Sequence, residues 1–172
     1  MMAHFFQSEI DRNIYIWQMF RDGGVALVHS ESMLQKIINE LHSENYLIHD
    51  CEVTSEDSVS FEKSIRATLG FPSGQKDQTN LDALNDLVGD LVFPKDRAGI
   101  VVVTRHIQKL HEKEPGYLHQ VADIFANAAR YHMCLGQRLL LLLQSDDSEI
   151  QFDVVGGFRP HWTIREGPFS KK

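Results

Sequence analysis

Aspartates recur at four-residue spacing in the segment 80–91, which reads NLDALNDLVGDL. In a helix, Asp82, Asp86 and Asp90 would lie along one face, with the leucines on the opposite face. Like charges at this spacing cost a helix roughly 0.2–0.5 kcal/mol per pair, and the segment contains no lysine or arginine to relieve them. Because an external cation could offset this cost, these three aspartates, with Asn85 beside them, form a candidate binding face for a basic protein. We call these four residues the acidic face.

The same residues also have a purely structural interpretation. Thr79 and Asp82 stand three residues apart, as in a capping box, and carboxylates in a first helical turn are favoured by the helix macrodipole. Charged stripes on helices are commonly no more than solvated surfaces. The residue pattern alone therefore leaves a binding face and a solvated face as alternatives.

Other catalytic or metal-binding chemistry finds little support in the sequence. His106, His111 and His119 follow one another closely, but no His-Glu-x-x-His, Cys-x-x-Cys or similar ligand spacing is present. Asp82 and Asp86 could bind Mg²⁺ or act as an acid–base pair, but an exposed helix lacks the enclosing pocket that this chemistry needs. There is no Gly-x-Ser-x-Gly elbow and no glycine-rich phosphate loop. We therefore expect a protein that is not an enzyme and has no metal or cofactor.

Size and composition favour a soluble protein whose partner is another protein. The 172 residues fit one domain with additional segments, and 42% hydrophobic residues suffice for a core. The net charge of -7 disfavours direct binding to nucleic acid. No signal peptide is recognisable, and the longest apolar run, 139–143, is too short to span a membrane. We expect a cytoplasmic protein that is monomeric when free, with Cys51 and Cys134 as buried thiols.

The order of strand and helix signals predicts an α/β layer fold. Strands are expected at 25–29, 46–53, 100–103 and 139–143, the last two buried on both faces of a small, mostly parallel sheet. The first two strands and the helix between them form a strand–helix–strand unit, which favours parallel pairing and a right-handed crossover. The alternation of Ile150, Phe152 and Val154 predicts an additional edge strand.

Helices are expected on either side of this sheet. The second carries a capping box at Ser32 and Gln35, and others are predicted at about 57–69, from 81 to Pro94, and from Pro115 to Gly136. A first helical stripe consists of Phe6, Ile10, Ile14 and Trp17, with Ser8 as cap. Trp17 and Trp162 are interpreted as packing residues. The chain is thus divided into an N-terminal segment 1–24, an α/β domain 25–145, and an edge strand and tail 146–172.

A family resemblance favours the binding interpretation of the acidic face. The LGFP run at 69–72, a polar loop at 73–79, and NLDAL at 80–84 followed by Asp86 resemble the signature of the barstar family of ribonuclease inhibitors. The order of elements is also similar, and the resemblance covers residues 46–144. Residues 24–29 and the helix after them resemble an N-terminal extension of longer barstar-like proteins. The resemblance implies a barstar-like α/β layer with an N-terminal strand–helix extension.

The resemblance also implies how the acidic face would act. In the family this helix occludes the basic active site of a ribonuclease, and its carboxylates pair with arginines and lysines that hold RNA phosphates. Asp86 corresponds to the main anchor, and His119 aligns near a family glutamate that contacts the enzyme. Glu112 and Glu114, just before the last helix, could take over the role of that glutamate. The expected partner-binding residues are Asn80, Asp82, Asn85, Asp86, Gly89, Asp90 and His119.

The sequence departs from the family pattern in the contacts that set partner identity. The loop 73–79 is longer than in the family, contains Lys76 and has no aromatic residue. Asn85 stands where the best-known member has tryptophan. The expected partner is therefore a basic ribonuclease or nuclease toxin that differs from the usual one. The alternative is a barstar-fold interaction module whose partner is not a nuclease.

Overall fold

A parallel sheet of four strands forms the centre of the molecule, which confirms the predicted α/β layer with a small, mostly parallel sheet. The computed structural model describes residues 14–52, 57–71, 79–160 and 162. The strands are β1 (Val25–His29), β2 (Leu47–Glu52), β3 (Ile100–Arg105) and β4 (Leu139–Ser145), in the spatial order β1-β4-β3-β2. All seven residues of β4 and the first five of β3 are buried. The uninterrupted apolar runs therefore belong to the two central strands, as expected of strands covered on both faces.

The first two strands do not pair with each other, contrary to the pairing that the strand–helix–strand unit favours. They run parallel, but β1 pairs with β4 and β2 pairs with β3, so the two strands lie at opposite edges of the four-stranded sheet. In the observed register Ile100 of β3 lies opposite Leu47 on one side and Leu139 on the other. Strands β3 and β4, which begin with the long apolar runs, occupy the centre, where both of their faces are covered.

Helices cover the sheet on both faces. The described helices are α1 (Ile14–Arg21), α2 (Glu31–Ser43), α3 (Ser58–Thr68), α4 (Leu81–Gly89), α5 (Gln108–Lys113) and α6 (Pro115–Cys134). Alternate strand residues point into two separate cores, since successive side chains of a strand face opposite sides. Val101 and Leu140 join the core beneath α1 and α2, whereas Val102 and Leu141 join the core beneath the other helices. None of the helices within the described ranges is both long and apolar enough to cross a membrane.

The two N-terminal helices are present, and the start of one of them differs from the prediction. Helix α2 begins two residues earlier than expected: its cap is Ser30, whose Oγ accepts the N–H of Met33 at 3.4 Å, and not Ser32. Helix α1 is confirmed from Ile14 onward, whereas Phe6, Ser8 and Ile10 lie outside the described residues.

The predictions for the C-terminal region and the cysteines need correction. Residues 150–154 form no strand; Ile150 and Phe152 are buried, and Val154 is 56% exposed. Cys51 is buried as expected, and burial raises the pKa of its thiol, but Cys134 in the last turn of α6 is exposed. The apolar residues around Cys134 in the sequence did not reveal that it faces away from the core.

Candidate protein-binding face

Helix α4 presents the acidic face to solvent. Its apolar side is fixed by Leu84 and Val88, both fully buried, while Asp82, Asn85, Asp86 and Asp90 are all exposed. Asp90 is the C-cap residue, and its N–H donates to the carbonyl oxygen of Asp86 at 2.9 Å. A carboxylate at this end of a helix meets the negative pole of the macrodipole, which adds to the repulsion between the aspartates.

No lysine or arginine in the described ranges forms an ion pair with these aspartates. The described ion pairs of arginine lie elsewhere, with Asp22, Glu62, Glu31 and Asp50. The electrostatic cost of the acidic face is therefore not offset by a described cation of the same molecule.

Asn80 holds the start of the helix and is its N-cap. Its Oδ1 accepts the N–H of Ala83 at 3.0 Å, so the expected capping box of Thr79 and Asp82 is not formed. The side chain that opens the family motif thus has a structural function in this protein. Its predicted contact with a partner remains a prediction, as for the other residues of the partner-binding set.

Loss of this cap should be measurable in the free protein. Replacing Asn80 by alanine leaves the N–H of Ala83 without an acceptor, and we expect the free energy of unfolding to fall by about 1 kcal/mol. Asn80→Asp keeps the acceptor and should retain nearly all of the stability. Urea denaturation of the two variants checks this; equal midpoints for both would show that the cap contributes nothing.

A buried ion pair ties this helix to its neighbours. Glu62 and Arg66 stand one turn apart on α3, their side chains are 5% and 11% exposed, and Glu62 Oε1 lies 2.7 Å from Arg66 Nη2. The Glu62 carboxylate also accepts the backbone N–H of Asn80, at 2.9 Å to Oε2, and the hydroxyl of Tyr117 at 3.2 Å. Arg66 Nη2 donates to the carbonyl oxygen of Asn80 at 3.2 Å. One carboxylate thus links α3, the start of α4 and the start of α6.

Tyr117 acts in this cluster as a neutral hydrogen-bond donor. Burial raises the pKa of its phenol well above the ordinary value, and the negative charge of Glu62 raises it further. The cluster of Glu62, Arg66 and Tyr117 is not among the features predicted from the sequence. Its only sequence signal is an oppositely charged pair, Glu62 and Arg66, placed at helical spacing beside the apolar Phe61 and Ile65.

An open groove runs between α4 and α6. Its lining residues are Leu81, Asp82, Asn85, His119, Gln120, Asp123 and Ile124. Further along, the two helices meet where His132 Nε2 lies 3.0 Å from the carbonyl oxygen of Val88. The structure therefore brings three residues of the expected set, Asp82, Asn85 and His119, together in one groove.

The remaining expected residues lie outside this groove. Asp86 and Asp90 continue the acidic face along α4, and Gly89 has open space where a side chain would stand. Of the loop 73–79, residues 73–78 lie outside the described residues. Asp123 is a groove residue that the sequence analysis missed, although it follows His119 by one helical turn.

Glu114, which could take over the role of the family glutamate, makes a contact within the protein. Its Oε1 accepts the backbone N–H of Ser58 at 3.1 Å, at the start of α3, where a carboxylate is favoured by the macrodipole. Glu112 is exposed. Among the described residues, no three His, Cys, Asp or Glu side chains are grouped so that they could hold a metal ion.

Comparisons with known proteins support the family resemblance. The family model described as "Barstar (barnase inhibitor)" matches residues 51–155, and no curated protein matches the sequence. Two similar solved chains come from "Structure of Drosophila ORC bound to AT-rich DNA and Cdc6" and "Structure of Drosophila ORC bound to DNA". The first is 14% identical with a TM-score of 0.48, covering 82% of this chain and 47% of that chain. The second is 16% identical with a TM-score of 0.46, covering 83% and 78%.

This chain spans about half the length of the first of these solved chains, and both scores are too low to support a functional argument. The family match rests on the sequence of this chain. It extends from the end of β2 through β4 and includes the whole acidic face. Since that match covers more than half of the sequence, the chain belongs to the barstar family.

Proposed function

We propose that this protein is an inhibitor, of the immunity or antitoxin type, that binds a ribonuclease or nuclease toxin and occludes its basic active site with the acidic face. The observation that carries the proposal is the exposure of Asp82, Asp86 and Asp90 on a helix whose other side is buried. Membership of a family described as barnase inhibitors supports it.

The proposed mechanism is steric and electrostatic and involves no catalysis. A ribonuclease active site carries cations that hold RNA phosphates, and the carboxylates of α4 would occupy the phosphate positions. Opposite charges steer the two proteins together, and exclusion of water strengthens the ion pairs in the complex. The buried pair of Glu62 and Arg66 supports this mechanism, since it fixes the start of α4 before binding and so limits the ordering cost.

We further propose that the inhibitor is cytoplasmic and that it is monomeric when free. An immunity protein must meet the nuclease in the compartment where the RNA is cleaved. A monomer leaves the acidic face open to that encounter. Size-exclusion chromatography of the free protein and of its complex checks the second point, with one copy of each protein expected in the complex.

The decisive experiment measures inhibition of RNA cleavage. The purified chain is added in increasing molar ratio to barnase and to the product of the neighbouring reading frame. We expect cleavage by at least one of these proteins to fall to the background level near a one-to-one ratio. Full cleavage by both proteins at a tenfold excess of the chain would overturn the proposal.

A further inference from the structure

Residues 150–160, which we call the C-terminal segment, pack against the outside of α6 behind the groove. Ile150, Phe152 and Val155 are buried, with exposed fractions of 3%, 4% and 1%. Trp162 holds the start of the segment, since its Nε1 donates to the carbonyl oxygen of Ile150 at 3.2 Å. The segment is thus part of the folded core even though it forms no strand.

The first contact of this segment with the groove is made by Phe152. Its ring lies nearly parallel to the ring of His119, at 20° and with 6.4 Å between the centroids. Phe152 also meets the ring of His111, with 5.5 Å between the centroids. Phe152 therefore packs beside His119 and limits the orientations that this groove side chain can take.

The second contact is made by Gly156. Its N–H donates to Asp123 Oδ1 at 2.7 Å, and Asp123 Oδ2 accepts from Asn127 Nδ2 at 3.0 Å. Both carboxylate oxygens are thereby fixed on the α6 wall of the groove. Glycine is required here, because φ is 55° and a Cβ would lie 2.6 Å from the Cβ of Ala126.

We propose that two residues of the C-terminal segment, Phe152 and Gly156, serve the partner-binding site as positioning residues: Phe152 sets His119, and Gly156 sets Asp123. The groove then has a carboxylate on each wall, Asp82 on α4 and Asp123 on α6, and that of Asp123 is held by hydrogen bonds to both oxygens. A partner must fit both walls, so this segment contributes to the choice of nuclease. This inference rests on the proposed function. It extends the proposed binding site from the acidic face on α4 to the α6 wall of the groove.

Nuclear magnetic resonance of the free protein tests the positioning without any partner. We expect Phe152→Leu to shift the carbon-bound ring protons of His119, because the ring current of the phenylalanine is lost. Gly156→Ala should shift the backbone amide of Asp123. Phe158→Leu is the matched control, because Phe158 lies in the same segment, is 44% exposed and has its ring beside Gly23, where an added Cβ would lie 3.3 Å from it, and not at the groove. Unchanged His119 and Asp123 signals would overturn the positioning.

Binding measurements test the consequence. For a ribonuclease that the unchanged chain inhibits, we expect Phe152→Leu to raise Kd about tenfold, and Phe158→Leu to leave it within about twofold. Phe152→Tyr keeps the ring and should restore most of the affinity. Because Kd is measured on folded protein, a role limited to stability would leave it unchanged for all three variants.

The outcomes separate the two claims. If the unchanged chain inhibits neither nuclease, the proposed function is wrong, while the resonance shifts still show whether the segment positions the groove. If the chain inhibits and Phe152→Leu binds as tightly as the unchanged chain, the role of the C-terminal segment is wrong and the proposed function stands.

Discussion

Replacing Asp86 by alanine is expected to weaken the complex with the inhibited ribonuclease by about 2–5 kcal/mol, which is roughly a thirtyfold to several thousandfold rise in Kd. Asp86 lies in the middle of the acidic face, between Asp82 and Asp90, and is exposed in the free protein. In the proposed complex its carboxylate is paired with cations of the active site. The alanine variant would leave those cations buried and without a partner, which raises the dissociation rate.

The same substitution should increase the stability of the free protein, although it weakens binding. Removing the central charge relieves its repulsion with Asp82 and Asp90, worth roughly 0.2–0.5 kcal/mol per pair, and alanine is the better helix former. We therefore expect Asp86→Ala to unfold at a higher urea concentration than the unchanged chain. A residue retained only for folding would not show stability rising while binding falls.

Asp22→Ala is the matched control for Asp86→Ala. Asp22 pairs with Arg21 at the end of α1, and α1 packs on the opposite face of the sheet from α4. It changes the net charge by the same amount, so any general loss of electrostatic attraction appears in both variants. Surface plasmon resonance measures the dissociation rates of the two complexes. Equal rates for Asp86→Ala and Asp22→Ala would contradict the role of Asp86 as the main anchor.

The parts of the structure that hydrophobic periodicity controls could be predicted from the sequence. The unbroken apolar runs identified β3 and β4 as central strands, and the spacing of Leu84 and Val88 against the aspartates gave the orientation of α4. Both features follow from which side chains must leave water, a local property of the sequence.

Contacts between distant residues could not be predicted in this way. The order of the strands depends on contacts in the finished sheet, so the pairing of β1 with β2 that the strand–helix–strand unit favours is not formed, although the two strands are parallel. The alternation of Ile150, Phe152 and Val154 is typical of a strand, but no strand within the described part of the chain pairs with these residues. The hydrogen bond between Gly156 and Asp123 joins residues 33 positions apart, and neither residue type by itself predicts it.

The largest expected effect on stability belongs to Glu62. Replacing it by alanine removes the carboxylate that accepts from Arg66, Asn80 and Tyr117, and it leaves a nearly buried guanidinium without a counter-charge. Losing one member of a buried ion pair typically costs about 3–5 kcal/mol, and we expect a loss of this size in urea unfolding. Glu112→Ala is the matched control, because this glutamate is exposed on α5, and it should change stability by less than about 0.5 kcal/mol.

A double variant distinguishes the ion pair from simple packing. Glu62→Leu with Arg66→Met replaces both charges by apolar side chains, so no uncompensated charge remains, and we expect it to recover most of the stability that Glu62→Ala loses. It does not restore an acceptor for the N–H of Asn80 or the hydroxyl of Tyr117. The start of α4 should therefore be held less firmly than in the unchanged chain. We expect the double variant to inhibit the ribonuclease less strongly than the unchanged chain, although most of its stability is recovered. A double variant that is as unstable as Glu62→Ala would contradict this account, and full inhibition by it would show that the cluster does not position the acidic face.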